Sequence, residues 1–175
     1  ASLRGHIRNY PFLVTRSLAQ AQQWVRAKAR GSERYGVLAS AGGARLRPDG
    51  VVVKLKAEPE QWFLNPAEDV RSSFYLEDVA TEFDVQGLEL DWTIVCWDAN
   101  FRRESGAWVA YNFSGTKWQS VRDVDRQRYI ANSYRVLLTR ARQGTIIYVP
   151  LGDSEDHTRN PVWYDGVHKF LQECG

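Results

Sequence analysis

Residues 123–150 read DVDRQRYIANSYRVLLTRARQGTIIYVP. Ile130, Tyr134, Leu137, Leu138 and Ala141 recur at spacings of three and four, which makes one apolar helix face. Arg128, Asn132, Arg135, Thr139 and Arg142 recur in the same way as a polar stripe. The pattern predicts a helix over residues 123–142, stopped by Gly144, and then a buried strand over residues 145–149. Arg140 lies off both stripes, in the last turn, where the helix dipole favours a cation.

Outward from this unit the chain keeps alternating. Residues 12–15 are a short apolar run, and Ser17 with Gln20 forms a capping box that opens a helix ending at Gly31. Residues 35–40 read as a buried strand, followed by the small-residue loop 41–45 and a Pro48-Asp49-Gly50 turn. A strand is expected over 51–55, while 56–73 is turn-rich and yields no assignment. Residues 76–82 and 93–97 read as strands flanking a break at Gln86-Gly87, and 108–113 with 118–121 as a hairpin. A last helix spans 161–173. Strands alternating with helices predict an α/β fold with a largely parallel central sheet and a small β-hairpin insertion, as one domain over residues 1–175.

Composition excludes little but sharpens the question. The 23 basic and 21 acidic side chains leave a net charge of +2, so any basic surface must be local. Cys96 and Cys174 form neither a metal-ligand spacing nor a disulfide framework, which fits a cytoplasmic protein. No run approaches the ~20 apolar residues of a spanning helix, so no membrane partner is expected. The chain contains no Met and opens Ala-Ser, the expectation for a piece of a longer protein.

Two segments carry a resemblance. Thr81-Glu82-Phe83-Asp84-Val85-Gln86-Gly87-Leu88-Glu89 is similar to motif V of superfamily 1 helicases, and Leu138-Thr139-Arg140-Ala141 to their motif VI. More narrowly, the chain resembles the C-terminal part of a bacterial group of Schlafen-type ATP-dependent helicases, which also share a segment like residues 35–50 and an ending like Tyr148-Val149-Pro150-x-Gly152-Asp153. Phe83 stands where the usual motif carries His, and Arg135 where many members carry Tyr.

The resemblance implies a second, RecA-like three-layer domain that donates motifs V and VI to an ATP site. Arg140 would be the arginine finger, suited by its planar fork to γ-phosphate oxygens. Gln86 and Gly87 would approach the nucleotide, Glu89 its ribose, and Arg8 would be a second phosphate-sensing arginine. Thr81, Phe83, Thr15 and Arg45 would meet single-stranded nucleic acid, with Phe83 free to stack on a base. ATP and Mg²⁺ would belong to the longer protein, because the chain has no G-x-x-x-x-G-K-[ST] phosphate loop and would bind neither tightly alone. The expected partner is an N-terminal RecA-like domain preceding this one. The strand 93–97 ending at Asp98 only superficially resembles a Walker B strand and reads as core.

Plainer readings stand beside these. The arginines of residues 123–142 suit a solvated helix face, Gln86-Gly87 an ordinary turn, and Glu89 and Asp91 exposed acids. The aromatics Trp92, Trp97, Trp108, Tyr111, Phe113 and Trp118, interleaved with Arg102, Arg103 and Lys117, fit a hairpin packing its own core better than a stacking platform. A degenerate RecA-like interaction domain would keep the fold with Arg140 idle, and a Mg-dependent nuclease would gather Asp84, Glu89, Asp91 and Asp98. The discriminator is geometric: a motor brings Gln86, Glu89 and Arg140 to one edge of the sheet, whereas a nuclease brings its acids to one another.

Overall fold

A computed structural model describes residues 10–53 and 58–174. Five parallel strands, β1 (Phe12–Thr15), β2 (Tyr35–Ala39), β3 (Val79–Ala80), β4 (Leu90–Cys96) and β8 (Ala141–Tyr148), form one sheet in the order β1-β8-β4-β2-β3. A second, antiparallel sheet contains β5 (Phe101–Glu104), β6 (Ala107–Ser114) and β7 (Lys117–Ser120). The helices are α1 (Leu18–Lys28), α2 (Pro59–Leu64), α3 (Val124–Leu138) and α4 (Pro161–Cys174).

The central strands are apolar on both faces, as a sheet covered on both sides requires. Val37, Ala39, Trp92, Ile94, Cys96, Ile146 and Tyr148 pack on the side of Ala21 and Val25 from α1. Leu38, Val95, Ile147 and Val149 face the other way, onto Tyr134 and Leu137 of α3 and Tyr164, Val167 and Leu171 of α4. This strict alternation sends successive side chains to opposite layers. The buried Thr93 and Thr145 hydroxyls bond to each other at 3.0 Å within the sheet, which is the middle layer between helices.

Local chemistry sets several boundaries. The Ser17 hydroxyl accepts from the Gln20 N–H, as the capping box requires, while the Gln20 amide turns to the Thr15 hydroxyl. Helix α1 ends at Lys28, short of the expected Gly31, with its last N–H given by Ala29 to Val25. Asp123 caps α3 by accepting from the Arg126 N–H at 2.8 Å.

The largest departure from the sequence pattern is at the far end of α3. The helix stops at Leu138, and the Thr139 hydroxyl donates back to the Arg135 and Val136 carbonyls. Ala141 already pairs with Leu90, and the Leu90 N–H donates to the Arg140 carbonyl, so β8 begins within what the periodicity read as helix. Pairing with β4 overrides local propensity here. Gly144 therefore stops nothing: it lies inside β8 opposite Trp92, where a Cβ would come within 2.7 Å of both Trp92 and Pro11.

Elsewhere the expected strand over 76–82 shrinks to Val79–Ala80, because residues 81–88 turn. Of the strand expected over 51–55, Val53 makes a single bridge to Val79, and residues 54–57 lie outside the described residues. The unassigned 56–73 stretch contains α2, whose Trp62 is buried under Gly36 and donates to the Asp78 carbonyl. The hairpin is in fact a three-stranded sheet, since Phe101–Glu104 pairs with β6. Among the described residues no helix is long and apolar enough to cross a membrane.

Candidate nucleotide and nucleic-acid surfaces

The parallel strands place the candidate residues among the described ones at one of two edges. Loop 81–89 starts at the C-terminal end of β3 and delivers its last residues to the start of β4. Thr81 donates both its N–H and its hydroxyl to Asp84 Oδ2 at 2.7 Å, and the Val85 N–H reaches the Thr81 carbonyl, closing one helical turn. Val85 is buried and anchors the loop. Gly87 then reverses the chain at φ +83°, a conformation that costs glycine little. Gln86, Gly87 and Glu89 are left exposed at the N-terminal edge of the sheet.

Arg140 arrives at the same edge by a different route. It occupies the two-residue turn between α3 and β8, half-buried, with its Nε donating to the Val136 carbonyl at 3.1 Å. Its Nη1 reaches the Leu88 carbonyl at 3.5 Å and its Nη2 the Thr139 hydroxyl at 3.3 Å. These partners are neutral, whereas Arg45, Arg102, Arg142 and Arg159 each meet a carboxylate. Gln86 and Arg140 line one cavity of about 240 Å³, floored by Asn132, Ser133 and Val136 of α3. Glu89 sits on the loop two residues beyond Gly87, exposed and outside that lining.

A second cavity, of about 310 Å³, continues the first toward the C-terminal edge. The two share Glu82, Phe83, Tyr129 and Ser133, and the second adds Ser40, Gly42, Asn100 and Arg126. Phe83 is 60% exposed, and its ring lies 6.2 Å from that of Tyr129 across the groove. Glu82 is buried between them: its carboxylate accepts the Ala41 N–H at 2.8 Å and the Tyr129 hydroxyl at 3.4 Å. The sequence reading missed Tyr129 and Glu82. A signal was present, because Arg126, Tyr129, Ser133, Val136 and Arg140 recur at spacings of three and four, a third stripe of α3 between the two already read.

The C-terminal edge is tied down by paired charges. Asp98, fully buried, accepts the Arg45 N–H at 2.8 Å, the Ala99 N–H at 2.7 Å and the Tyr164 hydroxyl at 3.0 Å. Burial pushes its carboxyl above the usual range, against the pull of those donors. The Arg45 side chain pairs with Asp156 at 2.6 Å, and Arg159 with Asp49, so the loop after β2 and the loop after β8 are doubly clasped. Thr15 accepts the Ser17 N–H and donates to the Gln20 amide oxygen. Thr81, Phe83, Thr15 and Arg45 thus share this edge, but only Phe83 presents an unengaged side chain. Arg8 lies outside the described residues.

The nuclease alternative is corrected, while the plainer reading of the hairpin aromatics holds. The four acids of the nuclease reading do not gather: Asp84 serves Thr81, Asp91 holds Arg142 and the Arg34 N–H, and Asp98 closes the opposite end of β4, about 23 Å from Asp91 at the rise of a strand. Among the described residues no group of three His, Cys, Asp or Glu could hold a metal ion. The hairpin aromatics are packed, not displayed as a platform. Trp97 stacks on Tyr134 at 4.1 Å and Phe101 on Trp108 at 4.7 Å, while Trp108 meets Phe170 of α4 edge-on.

Compared with known protein families, residues 2–151 match Schlafen group 3, DNA/RNA helicase domain. The chain belongs to this family. No curated protein and no solved structure matches it. Membership in the helicase-domain family gives the chain a helicase-like role directed at nucleic acid.

Proposed function

We propose that this chain is the second RecA-like domain of a superfamily 1 helicase-like ATPase, in which the N-terminal edge of the sheet meets the nucleotide and the C-terminal edge meets single-stranded nucleic acid. One observation carries the reading: Gln86 and Arg140, from separate motifs, line the same cavity, and the Arg140 guanidinium there has only neutral partners. A cation with no ion-pair partner among the described residues is suited to an anion from outside the chain.

In this arrangement an N-terminal RecA-like partner domain supplies the phosphate loop, ATP and its Mg²⁺, and the present domain closes over them. ATP supplies the phosphoryl group, and this chain's part is positioning and charge. Arg140 neutralises charge that grows on the γ-phosphate. Gln86 and the open backbone at Gly87 approach from the same side, and Glu89 reaches toward the ribose. Arg8 would add a second cation. Along the groove, Phe83 and Tyr129 offer stacking faces to bases, and Thr81, Thr15 and Arg45 line the path of the strand at the far edge.

The test is Arg140→Ala in the longer protein. ATP hydrolysis is expected to fall on the order of 10³-fold or more, with ATP binding largely retained, because a finger acts on charge that develops in the transition state. Steady-state turnover with and without single-stranded nucleic acid, on a variant shown folded by circular dichroism, reads the outcome. Turnover at the level of the unmodified protein would mean that Arg140 is not the finger.

A further inference from the structure

The cavity of about 310 Å³ at the C-terminal edge is lined by an acid, which is not the charge that a phosphate backbone selects. Glu82 is 8% exposed and lines both cavities of the groove, so it is reached from either. Among the described residues no Arg, Lys or His pairs with it. Its Oε2 accepts the Ala41 N–H at 2.8 Å, while Oε1 receives only the Tyr129 hydroxyl, at 3.4 Å. That second contact is long beside the ~2.5–2.7 Å of an O–H···O⁻ bond, so Oε1 keeps room for a better donor. The surroundings are fixed. Tyr134 donates to Asn100 Oδ1 at 2.6 Å, the Asn100 amide donates to Ser40 Oγ at 3.2 Å, and Ser40 Oγ accepts the Gly42 N–H at 3.2 Å. Gly42 closes tightly on this chain of bonds, since a Cβ there would come within 2.8 Å of the Asn100 amide nitrogen.

On the reading of this groove as the single-strand path, we infer that the cavity takes one unpaired base edge-first, and that Glu82 selects a base with an exocyclic amino group, as in cytosine or adenine, over uracil or thymine. An anionic lining repels phosphate, so the backbone stays outside. The base enters: it brings no net charge, stacks on the exposed faces of Phe83 and Tyr129, and turns its hydrogen-bonding edge inward. A carboxylate accepts from the cytosine amino group. Uracil offers it only an N–H flanked by two carbonyls, whose lone pairs face the same anion. The phosphates are left to Arg126, an exposed residue of α3 that lines the same cavity and pairs with no carboxylate among the described residues. A volume of about 310 Å³ stands at the small end of ligand pockets and suits one nucleoside, not several.

The experiment follows fluorescence anisotropy of short single-stranded homopolymers of deoxycytidylate and of deoxyuridylate, titrated with this chain over a range of salt. The two share ring size and differ only along the edge that would face Glu82. The unmodified chain is expected to bind deoxycytidylate about tenfold more tightly, the worth of one hydrogen bond to a charged acceptor. In Glu82→Gln, whose amide donates as well as accepts, the ratio is expected to fall to about one, while the amide oxygen keeps the Ala41 N–H. Arg126→Ala is expected to weaken both homopolymers alike and to reduce the salt slope by about one, with the ratio retained. Equal affinities in the unmodified chain, or an undiminished ratio in a Glu82→Gln variant that melts cooperatively, would overturn the base pocket and leave the single-strand path standing. A salt slope in Arg126→Ala equal to that of the unmodified chain would overturn the placement of the backbone. Binding of neither homopolymer would overturn the path itself, and the pocket with it. The ratio in the unmodified chain is decisive however Glu82→Gln folds, and none of these results bears on Arg140.

Discussion

The two edges of the parallel sheet are built from the same strands, and both hold ion pairs, Arg142 with Asp91 at the N-terminal one, yet they differ in how their motif arginines are engaged. At the C-terminal edge a fully buried carboxylate, Asp98, takes three protein donors, and Arg45 and Arg159 each close on an aspartate. At the N-terminal edge Arg140 leans on carbonyls and a hydroxyl, beside an exposed Gln86 and an unobstructed Gly87. A charge compensated within the chain contributes to stability, whereas one left with neutral partners remains available to a ligand. The comparison therefore separates structure from function by the partners of like residues and not by residue type: arginine occurs at both edges.

The sharpest break of this contrast is Asp98→Ala. It strands the Arg45 and Ala99 N–H groups and the Tyr164 hydroxyl in a buried site, and is expected to cost roughly 3 kcal/mol or more of unfolding free energy. Arg140→Ala should cost only about 0.3–1 kcal/mol. Urea unfolding of both variants checks the order, and a reversed ranking would end the distinction between a structural and an available edge.

Two glycines refine it within the strands and loops. Gly144→Ala is expected to destabilise by about 1–3 kcal/mol, because the new methyl meets Trp92 and Pro11 inside the core. Gly87→Ala meets nothing within 4 Å, so its cost should be confined to the left-handed backbone, about 1 kcal/mol. Thermal or chemical melts distinguish the two, and equal penalties would mean that loop 81–89 is more tightly packed than its open Gly87 implies.

Phe83→Ala should leave stability within about 0.5 kcal/mol, since the ring is 60% exposed. Single-strand affinity should drop by about 1–3 kcal/mol if the ring stacks on a base. Fluorescence anisotropy at low salt reads the loss, and unchanged affinity would remove the aromatic groove from the nucleic-acid path.

The smallest effect concerns pH. The Thr158 hydroxyl, its N–H and the Arg45 guanidinium hold the Asp156 carboxyl down, to about 2 against an ordinary 3.8. The folded carboxyl then binds its proton less readily than the unfolded one, so its contribution is complete above about pH 4 and is lost as pH falls toward 2. Asp156→Asn should flatten the dependence of unfolding free energy on pH in that window. An unchanged slope would mean that the clasp at the C-terminal edge does not depend on this charge.

Much of the frame was legible in the chain. Continuous apolar runs in residues 35–39 and 145–148, the capping box at Ser17 and the 3.6-residue apolar period after Asp123 are local patterns with local causes, and they give the α/β layering without any knowledge of contacts. The motif residues Gln86 and Arg140 were also legible, as was the test that they should reach one edge. Arg140 became part of a turn only because β8 pairs with β4 from Ala141 onward, a contact about 50 residues distant that overrides helical periodicity. The same pairing made Gly144 a site of close approach to Trp92.

The acids and arginines show the limit most clearly. Nothing in their spacing distinguishes Asp98, buried under three donors, from Asp84, which caps its own turn, because a carboxylate's role follows from the groups the fold brings within 3 Å of it. Arg102 likewise reads as an exposed strand cation until Tyr111 and Trp163 close on both its faces. Sequence by itself determined most of the alternation of strands and helices, though neither α2 nor β5, together with the apolar faces and the two motif loops, since these depend on neighbours within a few residues. Tertiary structure alone decided which charges are compensated and which remain available, since compensation depends on partners tens of residues away.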